Sequence, residues 1–347
     1  MNLTTLLEGS SISRELQEAL ASCGINTAQD LIFAQTQHIL SRLPAGVATP
    51  QDITNAKNLV SELSAAPGIR GDELFRRDAE GERTREACLS GVKELDSLLG
   101  GFGKYETIEI AGGNKSSKTG LVMNVVLRDL ANYPDHRALW LDVGGEFAIE
   151  RAANILELHS GPGSATAFDR LSIVTCFNIA EAHEALNDLR VSLSSKEEGE
   201  PHLRFLVFDT LTPLLAPLLS ATSSQGHAVM VTFMRMIGSL ARNYSFTCLV
   251  TNTASQSLPR NPYSAFPTTT SKPALGPTFM FMTDDTLWLS DAMHIVDQGK
   301  LEAGCRVFVA EVLRSHSTFS QTWCAFVLRK GISLEPFPVS NLRLENK

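Results

Sequence analysis

Ile108-Glu109-Ile110-Ala111-Gly112-Gly113-Asn114-Lys115-Ser116-Ser117-Lys118-Thr119-Gly120 reads as a strand, a phosphate-cradling loop and the start of a helix. From Gly112 to Thr119 it keeps the spacing G-x-x-x-x-G-K-[ST], with Ser117 standing where the second glycine belongs. That spacing lets consecutive backbone N–H groups converge on phosphate oxygens at a helix N-terminus, while a lysine reaches the outer phosphates and a hydroxyl holds Mg²⁺. Lys118 and Thr119 supply those two groups, and Lys115 adds a second positive charge. Ile108 and Ile110 run in as an apolar strand; Leu121, Val122, Val125, Val126 and Leu130 run out at helical spacing. The stretch therefore predicts a site for ATP with Mg²⁺, formed by Gly112, Gly113, Asn114, Lys115, Ser116, Ser117, Lys118 and Thr119. Ser117 puts a Cβ where glycine would let the backbone approach the nucleotide, and demands a torsion that serine dislikes.

A Mg²⁺-side acid should end another apolar strand, and Phe205-Leu206-Val207-Phe208-Asp209-Thr210 has that form. Asp209 is the candidate, so Thr119 and Asp209 are the predicted metal contacts. Hydrolysis further needs a group that orients the attacking water. Glu146, in Leu141-Asp142-Val143-Gly144-Gly145-Glu146, is a weak candidate for it; the plainer reading is a first-turn helix acid favoured by the dipole.

Working outward, apolar β-type runs recur at Thr107–Ala111, Ala138–Asp142, Leu171–Cys176, Arg204–Asp209, Phe246–Thr251, Thr286–Ser290, Cys305–Glu311 and Thr322–Leu328. Helical stretches near 119–132, 146–158, 179–194 and 225–243 separate the early ones, while the last three lie close together. That order predicts an α/β fold with a mostly parallel, helix-covered sheet finished by antiparallel strands. Residues 1–64 read instead as short helices: Leu16, Leu20 and Cys23 up to Gly24, a capping-box-like start at Thr27 and Asp30, and a stripe of Ile53, Ala56, Leu59, Val60 and Leu63. This module carries three basic residues (Arg14, Arg42, Lys57) against six acids (Glu8, Glu15, Glu18, Asp30, Asp52, Glu62), which favours packing or protein contact over DNA binding. Between the two, 65–88 turns to Pro, Gly and dense mixed charge and reads as a linker, with Leu74-Phe75 an apolar pair that could dock on a neighbouring subunit or pack locally. The expected domains are thus 1–64, the linker 65–88 and a core of 89–347.

Composition limits the function classes. A net charge of −8 argues against a nonspecific polyanion binder, so any nucleic-acid contact must be local. No apolar run approaches the ~18 residues needed to span a bilayer, and no signal peptide is evident, so a soluble intracellular protein with no membrane partner is expected. The six cysteines lack a Cys-x-x-Cys pair and read as buried reduced thiols. His residues show no ligand spacing, so no metal beyond nucleotide-bound Mg²⁺ is expected.

Several motifs together resemble the RecA-type recombinase superfamily and, within it, the D-type paralogues of the eukaryotic strand-exchange recombinase. Ser90-Gly91-Val92-Lys93-Glu94-Leu95-Asp96-Ser97-Leu98-Leu99-Gly100-Gly101 looks like the family's segment leading into the P-loop. Leu249-Val250-Thr251-Asn252 is similar to its sensor strand, which ends in asparagine. Leu240-Ala241-Arg242, Pro213-Leu214-Leu215 and Lys272-Pro273-Ala274-Leu275-Gly276 resemble the D paralogue more closely than the recombinase. The N-terminal module, with Gly24-Ile25-Asn26-Thr27 and Asp30-Leu31, looks like that family's small domain.

The resemblance implies a RecA-like ATPase core and a nuclear role in DNA-damage repair by homologous recombination. The implied partners are other recombinase paralogue subunits, the recombinase itself and single-stranded DNA. Between Asn252 and Phe279 the chain is too long for a simple connection. Its place matches the recombinase loop that contacts single-stranded DNA, where Arg260, Lys272, Tyr263 and Phe266 would give charge and stacking. Two departures stand out: Gly144 sits where the active recombinase has glutamate, and Thr253 where it has a glutamine that couples ATP to DNA. With Ser117, they favour an ATP-binding assembly subunit with weak or absent hydrolysis. The alternatives are an autonomous single-stranded-DNA-dependent ATPase and a scaffold with a vestigial pocket.

Overall fold

In the computed structural model the described residues run from 3 to 342, apart from 8, 9, 11, 45, 66, 67, 69, 74, 77–87, 196–198, 220–223 and 297–300. Two compact units divide the chain, Met1–Glu82 and Arg83–Lys347.

The first unit is helical: α1 Leu3–Leu7, α2 Arg14–Ser22, α3 Ala28–Phe33, α4 Thr36–Arg42 and α5 Pro50–Ser64. Thr27 and Thr49 each cap a helix in a reciprocal box with the aspartate three residues on, Asp30 and Asp52, satisfying two otherwise orphaned N–H groups apiece. Leu16, Leu20, Leu31, Ile39, Ile53, Ala56 and Val60 close its apolar core, whereas Leu63, at the end of the expected stripe, is exposed. Much of the segment read as a linker, including Leu74 of the apolar pair, lies outside the described residues. Residues 71–73 and 75–76 within it are helical, in a stretch that holds no proline to prevent a turn.

In the second unit α6 (Lys93–Leu99) precedes β1 (Thr107–Gly112), α7 (Lys118–Asn132), β2 (His136–Asp142), α8 (Ile149–Leu156), β3 (Leu171–Thr175), α9 (Ile179–Ser194), β4 (His202–Asp209), α10 (Thr212–Leu215), α11 (Ser224–Tyr244) and β5 (Thr247–Asn252). There follow β6 (Ala254–Gln256), β7 (Ser271–Pro273), α12 (Gly276–Met280), β8 (Asp285–Asp291), β9 (Cys305–Ser315), β10 (Trp323–Arg329) and β11 (Ser333–Pro336). Nine strands make one sheet in the order β11-β10-β9-β8-β1-β5-β4-β2-β3. Pairing is parallel from β8 through β1, β5, β4 and β2 to β3, and antiparallel from β8 out to β11. This is the mostly parallel, helix-covered sheet read from the sequence, and its parallel pairing brings the C-terminal ends of β1, β5 and β4 together in the middle of the sheet.

One apolar layer joins Ile108 and Ile110 to α7, with Leu121, Val122, Val125, Val126 and Leu130. The other packs Phe208, Cys248 and Val250 against Phe233, Met234 and Ile237 of α11. All six cysteines are free thiols, five of them buried and Cys23 half-buried. Among the described residues no helix is long and apolar enough to cross a membrane, and no group of three or more His, Cys, Asp or Glu is placed to hold a metal ion.

Two regions depart from the sequence reading. The stretch after Asn252 contains a hairpin, β6 against β7, in which Ser255 faces Lys272; each strand is too short to register as an alternating pattern. The helix expected over 146–158 spans only Ile149–Leu156, because Asp142 takes the N–H groups of Glu146 (3.1 Å) and Phe147 (2.9 Å) and holds the chain in a bend over 143–145 and out of helix until Ile149.

Candidate nucleotide site

The loop between β1 and α7 is shaped by two constraints. A Cβ on Gly112 would lie 2.4 Å from Leu289 O and 2.5 Å from Ser116 Oγ, so only glycine fits there; Gly113 has open space. Lys115 (φ 65) and Ser117 (φ 61) both take left-handed backbone, a conformation costing a non-glycine residue about 1–2 kcal/mol. The strain expected at Ser117 is present, and Lys115 shares it. Ser117 is the N-cap of α7 yet makes no side-chain cap bond, leaving the first N–H groups of that helix open to an acceptor. Asn114 and Lys115 are exposed, while Ser116 is buried.

Lys118 folds back over the loop. Its Nζ donates to Gly112 O at 3.0 Å, Gly113 O at 2.9 Å and Ser116 Oγ at 3.4 Å. Burial lowers its pKa, against the opposing pull of the Asp209 charge. All three acceptors are neutral, so an anionic phosphate would be the stronger partner.

Asp209 ends β4, and its Oδ1 accepts from Thr251 at 2.6 Å, Thr119 at 3.1 Å and Thr210 at 3.4 Å. Burial is the largest cause that raises its pKa, and the Asp142 charge adds to it. The two aspartates are register partners across β2 and β4. A hydroxyl and a carboxylate at adjoining strand and helix ends are the hard oxygen donors that Mg²⁺ takes, usually beside waters and nucleotide oxygens. The residues present therefore fit that ion. A bound cation would also offset the desolvation that pushes Asp209 up.

Arg151, on α8, was not singled out by any sequence pattern. Its Nε donates to Gly331 O at 2.7 Å, and its guanidinium lies over the first turn of α7 so closely that a Cβ on Gly120 would sit 2.2 Å from Nη2. Burial depresses its pKa and the Asp209 charge opposes that, as for Lys118. The site thus has two cations, Lys118 and Arg151, that both feel the Asp209 charge. The pairing follows from α8 lying against α7, which residue spacing along the chain does not report.

Glu146 is exposed and belongs to the turn before α8, where Glu150 is the first-turn acid. Its reading as a helix-dipole acid is therefore corrected. Its side chain turns back over Gly144, whose added Cβ would meet Glu146 Cγ at 3.3 Å.

The β6–β7 excursion separates the residues predicted to touch nucleic acid. Arg260 is exposed, bordering a small polar pocket with Asn261, Ser264 and Gln321, and Lys272 is half-buried on β7. Tyr263 packs against the cluster of Ala111, Met280, Trp288 and Leu313, and the Phe266 ring sits on Trp323, centroids 5.2 Å apart. Glu311 fastens this part of the loop by accepting from Ser264 Oγ at 2.8 Å and from the Ala265 N–H. The two aromatics are thus held by packing here, and Leu258, two residues before Arg260 in the chain, is exposed.

Comparison with known proteins adds relatives to this geometry. No family model matches the chain. It is 27% identical to the DNA repair protein RAD51 homolog 4 of Bos taurus over 299 residues, 85% of this chain and 87% of that one. It is 26% identical to the same-named protein of Mus musculus over 283 residues, 80% and 81% of the two chains. A probable RAD51 homolog 4 of Dictyostelium discoideum matches at 24% over 201 residues, 47% of this chain and 56% of that one. Among solved structures, the crystal structure of the RadB recombinase superposes with a TM-score of 0.55 at 19% identity, covering 72% of this chain and all 100% of the other. That likeness places the fold with the RecA-like recombinase cores.

Proposed function

For a chain homologous to RAD51 homolog 4 and built on a RecA-like recombinase core, we propose a role in DNA double-strand-break repair by homologous recombination, as an ATP-binding subunit of a paralogue complex in the nucleus. The complex would contain other recombinase paralogues and assist recombinase assembly on single-stranded DNA. The observation that carries this reading is the convergence of Lys118, Thr119 and Asp209, with the 3.1 Å bond from Thr119 to Asp209.

When bound, Mg²⁺-ATP supplies the negative phosphates and the cation that these groups are placed to meet. Lys118 and Arg151 orient and neutralise the phosphate side, Thr119 and Asp209 hold the metal side, and the open N–H groups of α7 face the same point. Hydrolysis is the weaker part. Gly144 has no side chain to activate water, Glu146 is turned back over it, and Thr253 spends its N–H on Thr212 Oγ1 at 2.9 Å. ATP would therefore act chiefly as a ligand that orders surfaces read by a partner. Arg260 and Lys272 would meet single-stranded DNA locally, in keeping with the net charge of −8.

Recovery of tagged wild-type and Lys118→Ala chains from cells, with identification of the proteins that come along, tests the proposal. Recombinase paralogues should accompany the wild type and be depleted with Lys118→Ala. Equal recovery of the same partners would point to a scaffold with a vestigial pocket and overturn the role of ATP.

A further inference from the structure

Three residues along β1 from Gly112, Glu109 is fully buried. Its carboxylate takes one hydrogen bond on each oxygen, from Asn252 Nδ2 at 2.6 Å and from Thr286 Oγ1 at 2.9 Å. Burial pushes its pKa up to about 7, with these two bonds only partly opposing it. A buried carboxyl without a cation is expensive, and an apolar residue would fill the space at less cost. What it holds is therefore informative.

Asn252 ends β5, and its Oδ1 accepts from Thr212 Oγ1 at 2.8 Å. Thr212 Oγ1 in turn accepts the N–H of Thr253 at 2.9 Å, and Thr253 O accepts the N–H of Ala274 at 2.9 Å. The chain of bonds thus runs from β1 to both legs of the β6–β7 hairpin. On its other side, Thr251, the residue before Asn252, donates to Asp209 at 2.6 Å. A group that engages Asp209 Oδ1 would compete with Thr251 for that oxygen, one residue away from Asn252.

We propose that Glu109 is a positioning residue that fixes the Asn252 amide between itself and Thr212, and so transmits occupancy of the Lys118–Asp209 site to the β6–β7 hairpin. The inference rests on the nucleotide reading above. In its ionised form, above about pH 7, the carboxylate only accepts, so it forces Asn252 to present Nδ2 inward and Oδ1 to Thr212. A glutamine of nearly the same size accepts on one terminal atom and donates on the other, so it no longer dictates the orientation of the Asn252 amide while keeping the packing.

Hydrogen exchange of Ala254–Pro273 in the full chain, with and without ATP and Mg²⁺, reads the coupling directly. In the wild type the hairpin amides should slow by at least about fivefold on nucleotide addition. Glu109→Gln should still bind ATP, measured on the same sample by titration, yet show a difference of about twofold or less. Thr212→Val, which breaks the path on the other side of Asn252, should do the same; if Glu109→Gln does not fold, this variant decides alone. Retention of the full wild-type difference in the variants overturns the proposal and leaves Glu109 a packing group, as does a wild type that binds ATP without change in the hairpin. A wild type that binds no ATP sinks the nucleotide reading itself, and this one with it.

Discussion

Thr119 Oγ1 donates to Asp209 Oδ1 at 3.1 Å, a bond between residues 90 positions apart that joins the first turn of α7 to the end of β4. It sets the hydroxyl against the acid of the proposed Mg²⁺ side. The parallel pairing of β1, β5 and β4 brings the two elements together at the C-terminal ends of these central strands, so the site is a consequence of strand order.

Ser117 carries the clearest local strain. Its left-handed backbone (φ 61, ψ 29) comes without a compensating cap bond, so Ser117→Gly should stabilise the core by about 1 kcal/mol and raise its Tm by about 2–4 °C. It should also tighten ATP binding, since the loop no longer carries a Cβ beside the phosphates. Thermal unfolding and nucleotide titration of the same variant check both; a lower Tm would show that the serine is making contacts that outweigh the strain.

Arg260 and Tyr263 should behave oppositely. Arg260→Ala should weaken single-stranded DNA binding and reduce the salt dependence by about one unit of slope, with no change in stability. Tyr263→Ala should lower stability by about 2 kcal/mol or more, because the ring closes an apolar cluster with Met280 and Trp288. Fluorescence anisotropy across a salt series, beside urea denaturation, separates the two effects. A Tyr263→Ala chain of unchanged stability with lost DNA affinity would return the tyrosine to a stacking role.

Glu109 predicts a pH dependence of defined sign. Its pKa is raised from 4.5 to about 7, so between those values the native state holds a proton that the unfolded state has lost, and stability falls as pH rises through that window. The difference amounts to at most about 3 kcal/mol. Glu106, pushed up to about 7 by burial and then by Asp285, adds a slope of the same sign. Glu109→Gln should remove its own share and leave the Glu106 share. Denaturant unfolding at several pH values from 5 to 8 tests this; an unchanged slope in Glu109→Gln contradicts it.

What the sequence disclosed, and what it hid, follows from where the information lies. The placing of Lys118 and Thr119 at a strand-loop-helix junction and of Asp209 at a strand end was legible because both patterns are local. The eight longer strands were legible for the same reason, as apolar runs between helical stretches. Arg151 was hidden because its role depends on α8 lying over Gly120, and Glu109 because its partners come from β5 and β8, more than a hundred residues away. That Tyr263 packs against an apolar cluster and Phe266 on Trp323 was hidden as well, since composition cannot distinguish an aromatic that faces solvent from one that packs on its own core. Glu146 was misplaced by the Asp142 turn, which delays the helix to Ile149.

The pocket is expected to bind ATP and to turn it over little. Calorimetric titration of the purified chain with ATP and Mg²⁺, followed by phosphate release from the same sample with and without single-stranded DNA, tests it most directly. The wild type should bind ATP saturably, Lys118→Ala should weaken that binding by at least about tenfold, and phosphate release should stay at background in both. Binding that is indifferent to Lys118→Ala, or turnover that rises with single-stranded DNA and vanishes in that variant, would contradict the account.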